Sequence, residues 1–287
     1  MAYPIDFILI VRVNLLRYRV LASPGDKQTH SLCALSTNCY HAPSSERIAS
    51  GTMVLADFYQ QNNDKIHFSR QQASRFAKEI ANDFNPLHDT DGKMFCVPGD
   101  LLFSVALERL GLSQCMCFTF SGMVSDQAVI FPDTDAEKVD ITDAEGKCYL
   151  TIERSGDTTH AASLIEHLAR DYVAFSGKTF PHILVPLMSD QGVMINPARP
   201  LVIYQKMEIE LDRLDLTSPA LEAAGSTFEV AGKKGMVRLD FHIKENGESV
   251  GRGAKYMSLR GLQPFDNTAM GELIEEYNGY RSSYQAV

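Results

Sequence analysis

One short segment of this chain concentrates side chains able to move protons. Asn82-Asp83-Phe84-Asn85-Pro86-Leu87-His88 sets a carboxylate and an imidazole five residues apart, on either side of a proline. Proline biases its predecessor away from helical backbone, so the chain bends at Asn85-Pro86, and a bent turn can aim both groups at one point. There they could hold and activate a water, His88 accepting or donating the proton and Asp83 performing the complementary step. A little further on, Val97-Pro98-Gly99-Asp100-Leu101-Leu102 opens an apolar segment. A helix starting at that glycine offers free N–H groups and a positive dipole end, suited to a developing oxyanion. Taken singly each feature is ordinary: Asp and Asn before Pro are common turn residues.

The elements that must position these residues are legible around them. Ser69-Arg70-Gln71-Gln72 has the form of a capping box, and Ala73, Phe76, Ala77, Ile80 and Ala81 follow on one helical face. From Gly99 to Gly111 the pattern predicts a second helix, apolar nearly all round, which must be buried on most sides. Strands are expected over Cys115–Val124, Ala128–Phe131 and Val139–Ile152, the last turning at Asp143-Ala144-Glu145-Gly146. The order then recurs: a helical stretch Ala161–Phe175, a short apolar one Phe180–Met188, then strands at Leu201–Leu211 and Thr227–Val230. Val237, Leu239, Phe241 and Ile243 alternate with polar residues as a half-buried strand does, and Asn246-Gly247 turns a hairpin into Ser249–Leu259. Gly146 and Gly247 occupy matching turns 101 residues apart. A short helix is expected from Thr268 to Tyr277.

Composition removes whole classes of function. A 45% apolar fraction over 287 residues excludes a disordered or fibrous chain. The longest apolar run, Phe7–Val11, is too short for a membrane helix, and a net charge of −9 argues against a nucleic-acid surface. Six cysteines lie at no metal-binding or redox spacing, which fits reduced thiols in a cytoplasmic protein. Cys115 and Cys117 would share a strand face as two small core hydrophobes. His88-Asp89-x-Asp91 has too few partners for a metal site, so neither metal nor cofactor is expected. Gly177-Lys178-Thr179 lacks the earlier glycine of a phosphate loop, since Tyr172 stands there. The chain has no Gly-x-Ser-x-Gly elbow and no dinucleotide fingerprint.

Asp-x-Asn-Pro-x-His after an amphipathic helix, followed by Pro-Gly-x-Leu leading into an apolar one, resembles the hydratase motif of MaoC-like, (R)-specific enoyl-CoA hydratases. The specific resemblance covers about residues 65–110, and the chain from Met53 also resembles an uncharacterised bacterial family of the same superfamily. The resemblance implies an α+β hot-dog fold, an antiparallel sheet wrapped round a central helix. With the repeated element order it implies a double hot dog, one half at 53–158 with the motif and a second at 159–265, then a tail at 266–287. It makes Asp83 and His88 the catalytic dyad, Asn85 a residue shaping the dyad loop and Gly99 the backbone donor to a thioester carbonyl. The pocket hydroxyl of such hydratases has Leu107 at the matching place, with Ser104 one turn earlier as its substitute. Asn82 stands where glycine is usual, and the stretch from His88 to Gly99 is several residues shorter than is common.

Three functions follow from the resemblance: hydration of a trans-2-enoyl thioester or its reverse, thioester hydrolysis in the same pocket, and non-catalytic binding of an acyl thioester or a protein. The intact motif favours the first and the short loop the third. The expected partner is an acyl-CoA or acyl-carrier thioester. Because hot dogs usually work in pairs, the two halves of one chain are expected to form a pseudo-dimer with a single complete site, and further self-association into a homodimer of double hot dogs is also expected.

Residues 1–52 carry five basic and three acidic side chains and, from Ala22, a Ser/Thr/Ala/His-rich stretch without period. They are expected to form a poorly ordered extension, as an over-long gene start would; the alternative is a basic targeting arm. Mass spectrometry of the native N-terminus is expected to find a chain beginning near Met53, and one beginning near Met1 contradicts that.

Overall fold

The computed structural model describes residues 9–10 and 54–284. The expectation for residues 1–52 otherwise lies outside the described residues. Of them, Leu9–Ile10 forms strand β1, paired antiparallel with Val202 and Leu201.

Strands β2 (Gln60–Asn62) and β3 (Lys65–His67) form a small hairpin before the first helix. Helix α1 (Arg70–Arg75) opens on the expected capping box, the Gln72 N–H bonding Ser69 Oγ and the Ser69 N–H bonding Gln72 Oε1, and a π turn over Phe76–Ile80 prolongs it. The central helix α2 spans Gly99–Leu110 as expected, and nine of its twelve residues are buried. It starts behind Pro98 and stops at Gly111, whose φ of +79° suits a residue without a Cβ. At that end Leu110 O accepts from the guanidinium of buried Arg154, which also holds Thr134 O and Ala136 O, so a fixed cation meets the negative end of the helix dipole.

Strands β4 (Leu112–Phe120), β5 (Val129–Ile130), β6 (Lys138–Thr142) and β7 (Cys148–Thr159) follow, then α3 (Ala162–Gly177), α4 (Leu184–Asp190) and β8 (Val193–Met194). Long strands β9 (Leu201–Leu211), β10 (Ala220–Ala231), β11 (Lys234–Glu245) and β12 (Glu248–Arg260) lead to β13 (Gln263–Pro264) and α5 (Asn267–Ser283). One antiparallel sheet runs β10-β11-β12-β9-β4-β7-β6-β5-β3-β2, and β13 pairs with β8 apart from it. The strand order repeats about the β4–β9 pair: each of these strands follows helices, and each neighbours the last strand of its group, β7 or β12. An antiparallel sheet wrapped on a buried helix is the hot-dog fold, and the chain is α+β. Phe103 ties the layers together, edge-on to Phe118 of β4 at 5.0 Å and to Tyr172 of α3 at 4.8 Å. No helix among the described residues is long and apolar enough to cross a membrane.

Several element bounds differ from expectation for local reasons. Strand β10 begins seven residues before the expected Thr227; its Leu-Glu-Ala-Ala-Gly start carries no strand signal and is held by pairing with β11. Helix α5 runs on to Ser283, past the expected Tyr277. In β4 the inward positions are Met116, Phe118 and Phe120, so Cys115 is exposed and Cys117 half-buried rather than core. Free Cys packs as a small hydrophobe only where the register turns it inward, and here it does not.

Helix α3 ends where it meets the turn after α1. A Cβ built on Gly177 would stand 1.6 Å from Ala81 O, so the two backbones touch because position 177 has no side chain. Gly177→Ala is expected to cost about 3 kcal/mol of stability by forcing these helix ends apart, read as a lower midpoint in urea unfolding.

Candidate active site

The dyad turn is built by short-range bonds that its sequence dictates. The Asp83 N–H bonds Ala77 O at 2.8 Å and closes the helix end, which requires Asn82 to take φ of +52°. Asparagine is among the few non-glycine residues that adopt this left-handed conformation readily, so Asn82 does at this position what the motif's usual glycine would do. Asp83 Oδ1 accepts from the Asn85 N–H at 3.0 Å, and Asn85 Oδ1 accepts from the Leu87 N–H at 3.1 Å, capping a 3₁₀ turn over Pro86–His88. His88 is buried, with Nδ1 2.7 Å from Cys96 O. A carbonyl only accepts, so Nδ1 carries the proton and Nε2 presents a lone pair. Nε2 lies 3.7 Å from Asp83 Oδ2, whose side chain is 31% exposed. That is too long for a direct hydrogen bond and leaves one point within reach of both.

Both side chains line a cavity of about 90 Å³ that reaches the N-terminus of α2. Leu101 and Leu102 both return their N–H groups to Pro98 O, and the N–H groups of Gly99 and Asp100 have no intrahelical acceptor. Gly99 is small because Tyr204 stands over it: an added Cβ would lie 3.0 Å from that ring and 3.3 Å from Phe120. Phe180, Leu184, Ile195, Val202 and Met257 give the cavity its apolar lining.

A buried polar chain crosses the same wall. Ser176 Oγ donates to Asp100 Oδ2 at 2.5 Å and accepts from Lys255 Nζ, whose ammonium lies 4.3 Å from the centre of the Tyr204 ring. Burial raises the Asp100 carboxyl against the pull of Lys255 and Ser176, and lowers the Lys255 ammonium against the pull of Asp100 and Asp83. Two buried polar atoms of lining residues, Asp100 Oδ1 and Asn85 Nδ2, have no hydrogen-bond partner.

Of the residues singled out from the sequence, Asp83, His88, Asn85 and Gly99 meet at this cavity. Ser104 does not: its hydroxyl bonds back to Asp100 O one turn earlier at 2.8 Å, and it does not line the cavity. Leu107 is wholly buried in the core. Asp89 is held by Lys78 at 2.7 Å, and among the described residues no cluster of His, Cys, Asp or Glu could hold a metal ion. Phe84 anchors the turn, packing edge-on to Tyr277 and Tyr284, while the Tyr277 hydroxyl accepts from the Phe84 N–H. Tyr277, Tyr204, Lys255, Ser176 and Asp100 are among the lining residues to which sequence reading gave no role. The one available signal was a lysine on the apolar side of the Ser249–Leu259 strand.

An antiparallel sheet around a buried helix, with an Asp–His pair opening into a cavity at that helix's N-terminus, defines a hot-dog protein with a candidate acid–base site. Residues 53–268 match the model of a family described as protein of unknown function (DUF3581), and the chain belongs to that family. No curated protein matches it. Among solved structures it is similar to an acyl-CoA thioesterase II from Mycobacterium marinum (8% identity, 72% of this chain and 98% of that one, TM-score 0.36). It is also similar to the full-length peroxisomal multifunctional enzyme type 2 from Drosophila melanogaster (11%, 69% and 48%, 0.39). A third similar structure is a conserved hot-dog-fold protein of unknown function from Alicyclobacillus acidocaldarius (9%, 75% and 100%, 0.39). Likeness this distant says nothing of activity.

Two outcomes follow from the site's construction. Asn82→Val is expected to be about 1–2 kcal/mol less stable than Asn82→Gly, the cost of a left-handed backbone for a branched residue, measured by thermal unfolding. Burial pushes the Cys96 thiol up to about 12, so although it lines the cavity it is no nucleophile near neutral pH. At pH 8 iodoacetamide is expected to alkylate exposed Cys115 and spare Cys96, read by peptide mass spectrometry.

Proposed function

We propose that this protein is a hydratase or dehydratase of acyl thioesters, interconverting a trans-2-enoyl thioester and its (R)-3-hydroxyacyl form. The observation that carries this reading is the dyad: His88 Nε2 and Asp83 Oδ2, 3.7 Å apart, line one cavity with the His88 tautomer set by Cys96 O. A water held between them gives a proton to Nε2 as its oxygen bonds to C3 of the substrate. The π electrons move onto the thioester oxygen, and the proton then passes to C2, leaving the dyad as it began. The first turn of α2 faces the carbonyl with the N–H groups of Gly99 and Asp100. Asn85 shapes the turn with its oxygen and turns an unpaired amide nitrogen to the buried side.

We further infer that the chain is a double hot dog, with halves at 53–158 and 159–265 joined between β7 and α3. The mirrored strand order about β4 and β9 supports this. The Asp-x-Asn-Pro-x-His motif occurs once, in the first half, and the second half supplies opposite walls of the cavity through Tyr204, Lys255 and Met257.

The test is loss of conjugated enoyl absorbance with CoA thioesters of short, medium and long chains. Asp83→Asn and His88→Ala are each expected to slow turnover by about 10²–10⁴-fold. Free-thiol release without hydration replaces this reading with a thioesterase. Acyl-CoA binding that survives both substitutions, with no turnover, replaces it with a binding module.

A further inference from the structure

Lys255 stands on the core-facing side of β12, in register with Met207 of β9 and Leu239 of β11, both fully buried. A lysine there loses its hydration, and an apolar residue of similar volume would serve packing at least as well. Of its three donors one goes to Ser176; among the described residues no second acceptor meets the ammonium, which rests on the Tyr204 face. Lys255 lines the dyad cavity and among the described residues is the one lysine or arginine that does so, whereas Asp83 and Asp100 bring two carboxylates.

That charge balance bears on where a substrate oxygen can go negative. The free N–H groups of Gly99 and Asp100 favour an anion, but the Asp100 carboxylate lies on the same turn and opposes it. In a cavity of low polarity such repulsion is not screened. An enolate oxygen forming there needs a cation, and the cavity holds one.

We propose that Lys255 is a catalytic residue whose ammonium donates to the thioester carbonyl oxygen and carries the charge that develops on it. This rests on the hydration reading above. The Asp100–Ser176 pair is the positioning device: it holds the ammonium through Ser176 and keeps its remaining donors free for the ligand. No bond to Lys255 forms or breaks in the cycle; charge accumulates beside it as water adds at C3 and disperses when C2 is protonated.

The experiment uses the full chain and butyryl-CoA labelled with ¹³C at the carbonyl, a saturated thioester that cannot be hydrated, followed by isotope-edited infrared spectroscopy. The carbonyl stretch is expected to move to lower frequency on binding to the wild-type protein and to Asp83→Asn. In Lys255→Met that shift is expected to be lost. Because the single change strands a buried carboxylate, Lys255→Met/Asp100→Asn is the second variant, and it is expected to lose the shift equally while keeping a cooperative unfolding transition. With an enoyl-CoA substrate, loss of the donor is expected to lower kcat by about 10²–10³-fold, with KM changed far less. A shift that persists without Lys255, or an unchanged kcat, overturns the proposal and leaves the hydratase reading in place. A Lys255-dependent shift in a protein that never hydrates enoyl-CoA overturns the hydratase reading and sustains Lys255 as the carbonyl donor. Failure of any acyl-CoA to bind overturns both.

Discussion

Helix α2 is buried nearly all round, only Glu108 and Arg109 near its C-terminus and Gly99 at its start reaching solvent, and much of the rest of the molecule answers to that. A helix with one apolar stripe can lie on a surface, whereas one buried over Leu101–Leu107 without a break must be enclosed. Enclosure demands a sheet to lie against it and further helices to close the remaining side, and β4 and α3 pack on it in these roles. The enclosed helix then has two buried ends, each with unpaired backbone groups and a partial charge. The fold resolves them in opposite ways. At the C-terminus Arg154 spends its whole guanidinium on carbonyls. At the N-terminus the backbone donors stay unspent and open onto a cavity.

The N-terminal end is therefore a place of unbalanced electrostatics held by design of the surroundings. Asp100 at the second helical position is where a carboxylate favours the dipole, yet burial raises its pKa, and it reaches its counter-ion only through a serine on another helix. Three elements distant in sequence, α2, α3 and β12, meet at that one relay. A buried chain of this kind costs solvation at every link, and the two polar atoms still unsatisfied beside it mark the cavity as built for contact with something polar.

How much of this was legible in the sequence depended on the range of the interaction involved. The capping box, the bounds of α2 and the Asn246-Gly247 hairpin rest on contacts within a few residues and were read correctly. The convergence of Asp83 and His88 on one cavity was legible for the same reason: the turn through Asn85 is held by bonds within a few residues. Strand β10 and the faces of Cys115 and Cys117 were misread because pairing partners, not propensity, decide them. Ser104 failed as a pocket hydroxyl because a serine inside a helix can satisfy itself on the carbonyl four residues back. Ser176 and Tyr277 were out of reach, since their relation to Asp83 and Asp100 exists only in three dimensions, and the one local signal at Lys255 named no partner.

The hydroxyl of Tyr277 touches the backbone of Phe84 across 193 residues of chain. During synthesis, which proceeds from the N-terminus, the dyad turn and α2 are made well before α5, which closes the wall beside them. A nascent chain that has folded both groups of strands still has an open-sided cavity, and only the docking of α5 gives the turn its final support. The turn that carries Asp83 and His88 is thus fixed in sequence long before the segment that braces it, so local order and long-range support are separate steps in building this wall.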